Sequence, residues 1–264
     1  MNLGLPGKLA VVTGSTAGIG YSVAGALAAE GARVVVNGRT EERVNSAIEK
    51  LRLANRGAEF SGISADLGTV AGVEKLITEV PAADILVNNL GIFEVKPFLE
   101  IPDADWQRLF EVNVMSGVRL SRHYLPAMLK KNWGRIIFIS SESGQNIPTE
   151  MIHYGMTKTA QVAIARGIAQ SVATTGVTVN SVLVGPTASE GANAFMQSLA
   201  LQQAKSPAEI EKEFFANARP GSLLKRFETP EEIAAVVTFL AGTQSAVISG
   251  AAIRADGGVI QSLF

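Results

Sequence analysis

The chain has 264 residues, 47% hydrophobic and 18% charged, with a formal net charge of −1. That composition suits a globular protein with ample core, organised as one large α/β domain or two small ones. The near-neutral balance leaves no electrostatic footprint for nucleic acid or an anionic membrane, and the lack of cysteine excludes disulfides, thiolate catalysis and cysteine-ligated zinc.

The opening segment MNLGLPGKLAVVTGS has a short apolar run, no basic n-region and early glycines, which is not the pattern of a secretory signal. No stretch approaches the ~18 uninterrupted apolar residues of a spanning helix. A soluble cytoplasmic protein is the expectation. From there, strand-length apolar runs alternate with helical patterns. KLAVVT (8–13) leads into an Ala-rich helix from about Gly18 to Glu30, and ARVVVN (32–37) into a charged amphipathic helix near 41–55. AEFSGIS (58–64) and DILVNN (84–89) are the next strands, with a helix near 70–79 between them. A long helix near 103–131 leads to RIIFIS (135–140), and a helix from about Ile152 to Thr174 leads to VTVNSV (177–182). A helix near 230–241 and the short strand AAIRA (251–255) come last.

Continuous β-branched runs predict strands buried on both faces, and their alternation with helices predicts right-handed crossovers and a parallel sheet. No repeat, low-complexity segment or linker divides residues 1–264. The expectation is a single-domain α/β Rossmann fold: a doubly wound seven-stranded parallel sheet, order 3-2-1-4-5-6-7, flanked by helices. One connection is unusually long. Between Gly185 and Thr229 there is no strand, only helical fragments such as ANAFMQSLALQQA and PAEIEKEFF. It reads either as a substrate lid over about 187–220 or as two helices packed permanently on the sheet edge.

TGSTAGIG (13–20) follows the first strand and opens the first helix. Gly14, Gly18 and Gly20 permit a tight turn, or a close backbone approach to a pyrophosphate at the positive end of the helix. Ser15, Thr16 and Ile19 complete that candidate dinucleotide loop. An NAD site would carry an acid at the end of the second strand, whereas a nearby Arg accommodates a 2′-phosphate. The sequence there is VVVNGRT, with Gly38 in place of the acid and Arg39 beside it. NADP(H) is favoured if Arg39 meets the phosphate; NAD(H) stays possible if Arg39 is only a solvated cation. In ADL, Asp66 either bonds the adenine amino group or caps the next helix, with Leu67 beside it.

These residues, together with NNLG (88–91) and YGMTK (154–158), in this order along nearly the whole chain, resemble the short-chain dehydrogenase/reductase family, and within it the bacterial 3-oxoacyl-ACP-reductase-like carbonyl reductases. The resemblance implies a tetrad of Asn113, Ser141, Tyr154 and Lys158. Ser141 stands thirteen residues before the tyrosine, as the family pattern requires. The same resemblance implies that Asn88 supports the sheet near the adenosine ribose, with Gly91 alongside. It makes GPT (185–187) the segment beside the nicotinamide, Gly185 approaching and Thr187 bonding the carboxamide. The Asn113 main-chain carbonyl would hold a water in a relay from Lys158. Two residues depart from the pattern: Val184 stands where proline is common, and Leu90 replaces a usual alanine.

The chemistry suits these residue types. A nicotinamide supplies hydride, and the protein positions the carbonyl and handles one proton. Ser141 and Tyr154 would donate to the oxygen on which charge builds. Tyr is a weak acid with a reference pKa near 10, and an adjacent cation is expected to lower it by about 1–3 units. Lys158, four positions on, lies on the same helix face. His123 and His153 have no partners at metal-ligand spacing, so no metal is expected.

For the substrate, Phe93 and Phe98 of IFEVKPF are the candidate walls. Phe195, Met196, Leu199, Phe214 and Phe215 are either further walls or core of the lid helices. Glu94 and Glu142 are candidates to bond a polar substituent. An apolar wall favours aromatic or aliphatic ketones over sugars. Small-residue helix faces in TKTAQVAIARGIAQ and VNVMSGVRL, which the family uses for dimer contacts, with the apolar tail SLF (262–264), point to a homotetramer. The expected activity is an NADPH-dependent carbonyl reductase, reversible as an alcohol dehydrogenase. The alternatives are an NAD-dependent alcohol dehydrogenase and a non-catalytic dinucleotide sensor.

Overall fold

The computed structural model describes residues 2–263. Its parallel sheet contains β1 (Leu9–Val12), β2 (Arg33–Gly38), β3 (Phe60–Ser64), β4 (Ile85–Asn88), β5 (Gly134–Ser141), β6 (Val177–Val184) and β7 (Ala252–Ala255). The order is β3-β2-β1-β4-β5-β6-β7, as the alternating pattern predicts. Side chains alternate between two apolar layers because successive strand residues point to opposite faces. Ala10, Val12, Val34 and Val36 face α1 (Gly18–Ala29), α2 (Glu41–Ala54) and α9 (Pro230–Ala241). Val11, Val35, Leu86 and Phe138 face α3 (Val70–Glu79), α5 (Ser116–Lys130) and α6 (Ile152–Ser171). Every residue of β5 and β6 is buried, as expected of central strands covered by helices on both faces.

Two boundaries differ from expectation. The helix predicted over 103–131 is broken into α4 (Asp103–Phe110) and α5 by a π turn, Glu111–Met115. Such turns occur singly inside α-helices, frequently at functional sites. β6 also runs on through Val184, paired with Ala255. The residue standing where proline is common therefore extends the sheet by a full ladder position.

The long connection holds α7 (Glu190–Gln203) and α8 (Pro207–Glu213), followed by a second π turn, Phe214–Ala218. These helices have a small core of their own, Met196, Ala200 and Ile210, packed with Phe195, Leu199, Phe214 and Phe227. Their root is pinned. Thr187 bridges to Glu228, Ala188 N donates to Glu228 O at 2.8 Å, and Glu228 N donates to Pro186 O at 2.9 Å. Among the described residues, no helix is long and apolar enough to cross a membrane.

Candidate active site

The loop between β1 and α1 folds tightly back on itself. A side chain at Gly20 would stand 2.6 Å from Gly14 O, and Gly14 and Gly18 hold φ of 59° and 56°, where other residues are strained. Three side chains hold this loop in shape. Asn37 Oδ1 accepts from Gly14 N at 3.1 Å, Thr13 Oγ1 accepts from Asn89 N and Leu90 N at 2.9 Å, and Asn89 Nδ2 donates to Thr13 O and Gly14 O. Ser15 Oγ accepts from Asn37 N at 2.9 Å. None of Thr13, Asn37 or Asn89 was singled out by motif spacing. The signal was the pleat: in NNLG, neighbouring residues must point to opposite sides.

That alternation corrects the expectation for Asn88. Its amide is buried against α5, donating to Ser121 Oγ at 3.2 Å, so it supports the sheet but faces away from the glycine loop. Asn89 is the asparagine at the cleft. Gly38 lies against Thr16, whose methyl a side chain at 38 would overlap. Arg39 is exposed beside it, with no hydrogen bond or ion pair to the other described residues. Thr69, not Asp66, caps α3; Asp66 is exposed and accepts from Gly68 N at 3.0 Å. Leu67 is in the core. Gly18 and Ile19 of the loop, with Gly91, Tyr154 and Lys158, line a cleft of about 290 Å³, and Gly14, Ser15, Thr16 and Gly20 lie outside that lining. The close-approach glycines and this cleft fit an extended dinucleotide laid over the helix N-terminus.

The structure brings the tetrad together. Ser141 ends β5, and its Oγ accepts from Ser143 N at 3.1 Å. Asn113 sits in the π turn, which aims it inward: Oδ1 accepts from Ile92 N at 2.8 Å, while Nδ2 donates to Ile92 O and Thr157 Oγ1. Gly91 approaches both Lys158 Nζ and Asn113. Lys158 Nζ donates to Ile139 O at 2.9 Å and to Gln161 Oε1 at 3.2 Å. Thr157 stands inside YGMTK and Gln161 three residues beyond it, and neither was assigned a role from the sequence.

The proton affinity of Tyr154 departs from expectation in sign. Burial of the phenol pushes it up to about 12; the Ser141 hydroxyl works against this, Glu142 adds to it and Arg219 opposes it. The Lys158 ammonium is 5.6 Å from the ring centroid and does not offset the burial in the free protein. Lys158 itself is lowered to about 8 by burial alone.

A second cavity, of about 440 Å³, is also lined by Tyr154. Ser141, Phe93, Phe195, Met196, Leu199 and Phe214 line it, together with Phe227, which sequence reading overlooked. Phe93 packs edge-on against Tyr154 and Phe195, with centroids 6.3 and 6.5 Å away. Phe98 lies elsewhere, turned onto Trp106 at 6.4 Å, which corrects its expected place in the substrate wall. Phe215 is buried against Phe214 and Phe227. Glu142 is buried and paired with Arg219 at 2.7 Å, and Glu94 is held by Lys96 and Arg108. Gly185 and Thr187 line the cavity beside Tyr154, with Thr187 Oγ1 donating to Gly185 O at 3.0 Å. His153 is fully buried, edge-on to Trp106, and His123 Nε2 meets Pro81 O at 3.1 Å.

Comparison with known proteins agrees with this geometry. Residues 8–200 match the family model for short chain dehydrogenases. The uncharacterized oxidoreductase YvaG of Bacillus subtilis is 48% identical over 264 residues, covering all of both chains. The 3-oxoacyl-[acyl-carrier-protein] reductase FabG of Aquifex aeolicus is 32% identical, across 98% of this chain and all of that one. The solved structure of L-sorbose reductase from Gluconobacter frateurii, complexed with NADPH and L-sorbose, superposes with a TM-score of 0.94 over the full length of both chains at 29% identity. The chain belongs to the short-chain dehydrogenase family and is an oxidoreductase that interconverts carbonyl and alcohol with NAD(P).

Proposed function

We propose that the protein is an NADPH-dependent carbonyl reductase, reversible as an alcohol dehydrogenase, acting on hydrophobic or aromatic ketones. The observation that carries this reading is the position of Tyr154, which lines both the glycine-loop cleft and the apolar cavity. A ketone in that cavity would meet Ser141 and Tyr154 on one side and the dinucleotide cleft on the other.

In this reading the glycine loop, Gly91 and Lys158 hold the dinucleotide, with Lys158 placed for its ribose hydroxyls. Gly185 and Thr187 flank the nicotinamide end, and Asp66 and the Leu67 main chain flank the adenine end. When bound, the nicotinamide supplies the hydride. Ser141 donates a hydrogen bond to the ketone oxygen, and Tyr154 donates its phenolic proton there. Asn113 fixes the Ile92 main chain and Thr157, holding the floor beside the lysine. α7 and α8 act as a lid over about 187–220 on a single catalytic domain. The exposed Arg43–Glu190 pair, at 2.6 Å, ties the lid root to α2.

NADPH is favoured over NADH because Arg39 is an unpaired guanidinium beside a position where a carboxylate would collide with Thr16. The neighbouring L-sorbose reductase structure contains NADPH. Arg39→Ala is expected to raise the NADPH Michaelis constant about tenfold or more while leaving that for NADH nearly unchanged. Equal effects on both cofactors would favour the NAD-dependent alternative. The substrate test is a panel of aryl, alkyl and sugar ketones, L-sorbose included, followed by cofactor absorbance. Aryl and alkyl ketones should lead; faster turnover of sugar ketones would overturn the hydrophobic assignment.

A further inference from the structure

Gln161 lies three positions after Lys158 on α6 and is 1% exposed. Its amide joins two parts of the site. Oε1 accepts from Lys158 Nζ at 3.2 Å, and Nε2 donates to the Asn113 main-chain carbonyl at 2.6 Å. These are the two ends between which the family resemblance placed a water. Here a side chain of the protein itself spans them. An amide behaves differently from a water. Its donor and acceptor ends are fixed, it is tethered to the helix, and it passes no proton without becoming an imidic acid. The amide link itself is therefore a support for the lysine.

The support matters because Lys158 has little else. It is 4% exposed, and burial alone lowers its proton affinity, to about 8. Several elements pack against α6. Their charged groups are Arg135 on β5, Glu142 and Glu150 in the turns after it, Asp103, Asp105 and Arg108 on α4, and Glu111 in the π turn. β6 carries none, and α6 itself adds His153, Tyr154 and Arg166. None of these contributes to the Lys158 shift. Two oxygen acceptors, Ile139 O and Gln161 Oε1, are what the ammonium is given in exchange for water.

We propose that Gln161 is a positioning residue of the active site: anchored on the Asn113 carbonyl through Nε2, it holds and stabilises the Lys158 ammonium through Oε1. This deepens the reductase reading, in which Lys158 binds the ribose, but its test needs neither cofactor nor substrate, so the two can fail separately.

The unliganded full-length protein, labelled with carbon-13 at lysine Cε, reports Lys158 protonation by NMR, the signal being assigned by its loss in Lys158→Met. Gln161→Leu removes the acceptor and is expected to lower the Lys158 midpoint by about one pH unit. Gln161→Glu places a carboxylate there and is expected to raise it by about one unit or more. In the wild type, the Gln161 side-chain amide signal is expected to shift with the same midpoint as Lys158. Folded variants that both keep the wild-type midpoint, or an amide signal indifferent to the lysine titration, would overturn the proposal and make Gln161 a packing residue. If the Leu variant does not fold, the Glu variant and the wild-type amide signal decide.

Discussion

Tyr154 illustrates how two effects of opposite sign compete at one residue. Spacing predicted a lysine beside it and hence a lowered proton affinity; burial wins instead, raising the phenol to about 12 in the free protein. A neutral phenol at physiological pH is the form that donates a proton, so this state suits reduction. Tyr154→Phe is expected to lower kcat for ketone reduction by about 10²–10⁴-fold with the fold intact; near-normal turnover would remove the phenol from the mechanism. Lys158 sets a second limit. Its ammonium is present below pH 8 and lost above it. Dinucleotide affinity, measured by fluorescence titration, should therefore fall as pH rises past about 8. A flat profile from pH 6 to 10 would contradict the ribose role. The two phenylalanines make a matched pair of variants. Phe93→Ala, on the cavity wall, is expected to raise KM for aryl ketones about tenfold, whereas Phe98→Ala, packed on Trp106, should leave it unchanged. Nothing in IFEVKPF distinguishes these residues, because the choice depends on which neighbours each ring finds.

At the scale of elements, the π turn and the root of the lid were the least legible parts. The pattern over 103–131 is that of a single helix, and only tertiary hydrogen bonds to Ile92 and Thr157 show why an extra residue is inserted at Asn113. The lid root carries a buried acid, Glu228, set against Asp256. Burial foremost, with repulsion from Asp256 next, raises its carboxyl to about 7, while Gly185 N–H and Thr187 favour the charged form. A carboxyl raised on folding contributes stability that is full below its unfolded pKa of 4.5 and lost as pH climbs through about 7. The shift corresponds to roughly 3 kcal/mol. Urea unfolding should therefore show the wild type weakening from pH 5 to pH 8, and Glu228→Gln should flatten that slope. Parallel slopes for the two proteins would show that Glu228 is not its source.

At the scale of the molecule, α6 shows a stripe of small exposed residues, Thr159, Ala163 and Gly167, and a side chain added at Gly167 would meet open space. A second copy of the chain can approach such a face closely. Light scattering is expected to report a tetramer of the 27.7 kDa chain, and Gly167→Arg a smaller, folded species. A wild-type monomer would refute this assembly. Of the tail SLF, Phe264 lies outside the described residues; Leu263 is exposed, and Ser262 O accepts from Arg254 at 2.6 Å. The sheet order and the glycine loop were readable from residue order alone, and the tetrad positions followed from the family resemblance. Local periodicity and loop chemistry act over a few residues, and right-handed crossovers leave few ways to assemble them. Tertiary structure alone decided the rest: which asparagine of NNLG faces the loop, which phenylalanines line the cavity, the burial that raises Tyr154 and lowers Lys158, and the Gln161 bridge between Lys158 and Asn113. Each of these depends on atoms brought together from distant parts of the chain, and on the desolvation that this packing imposes.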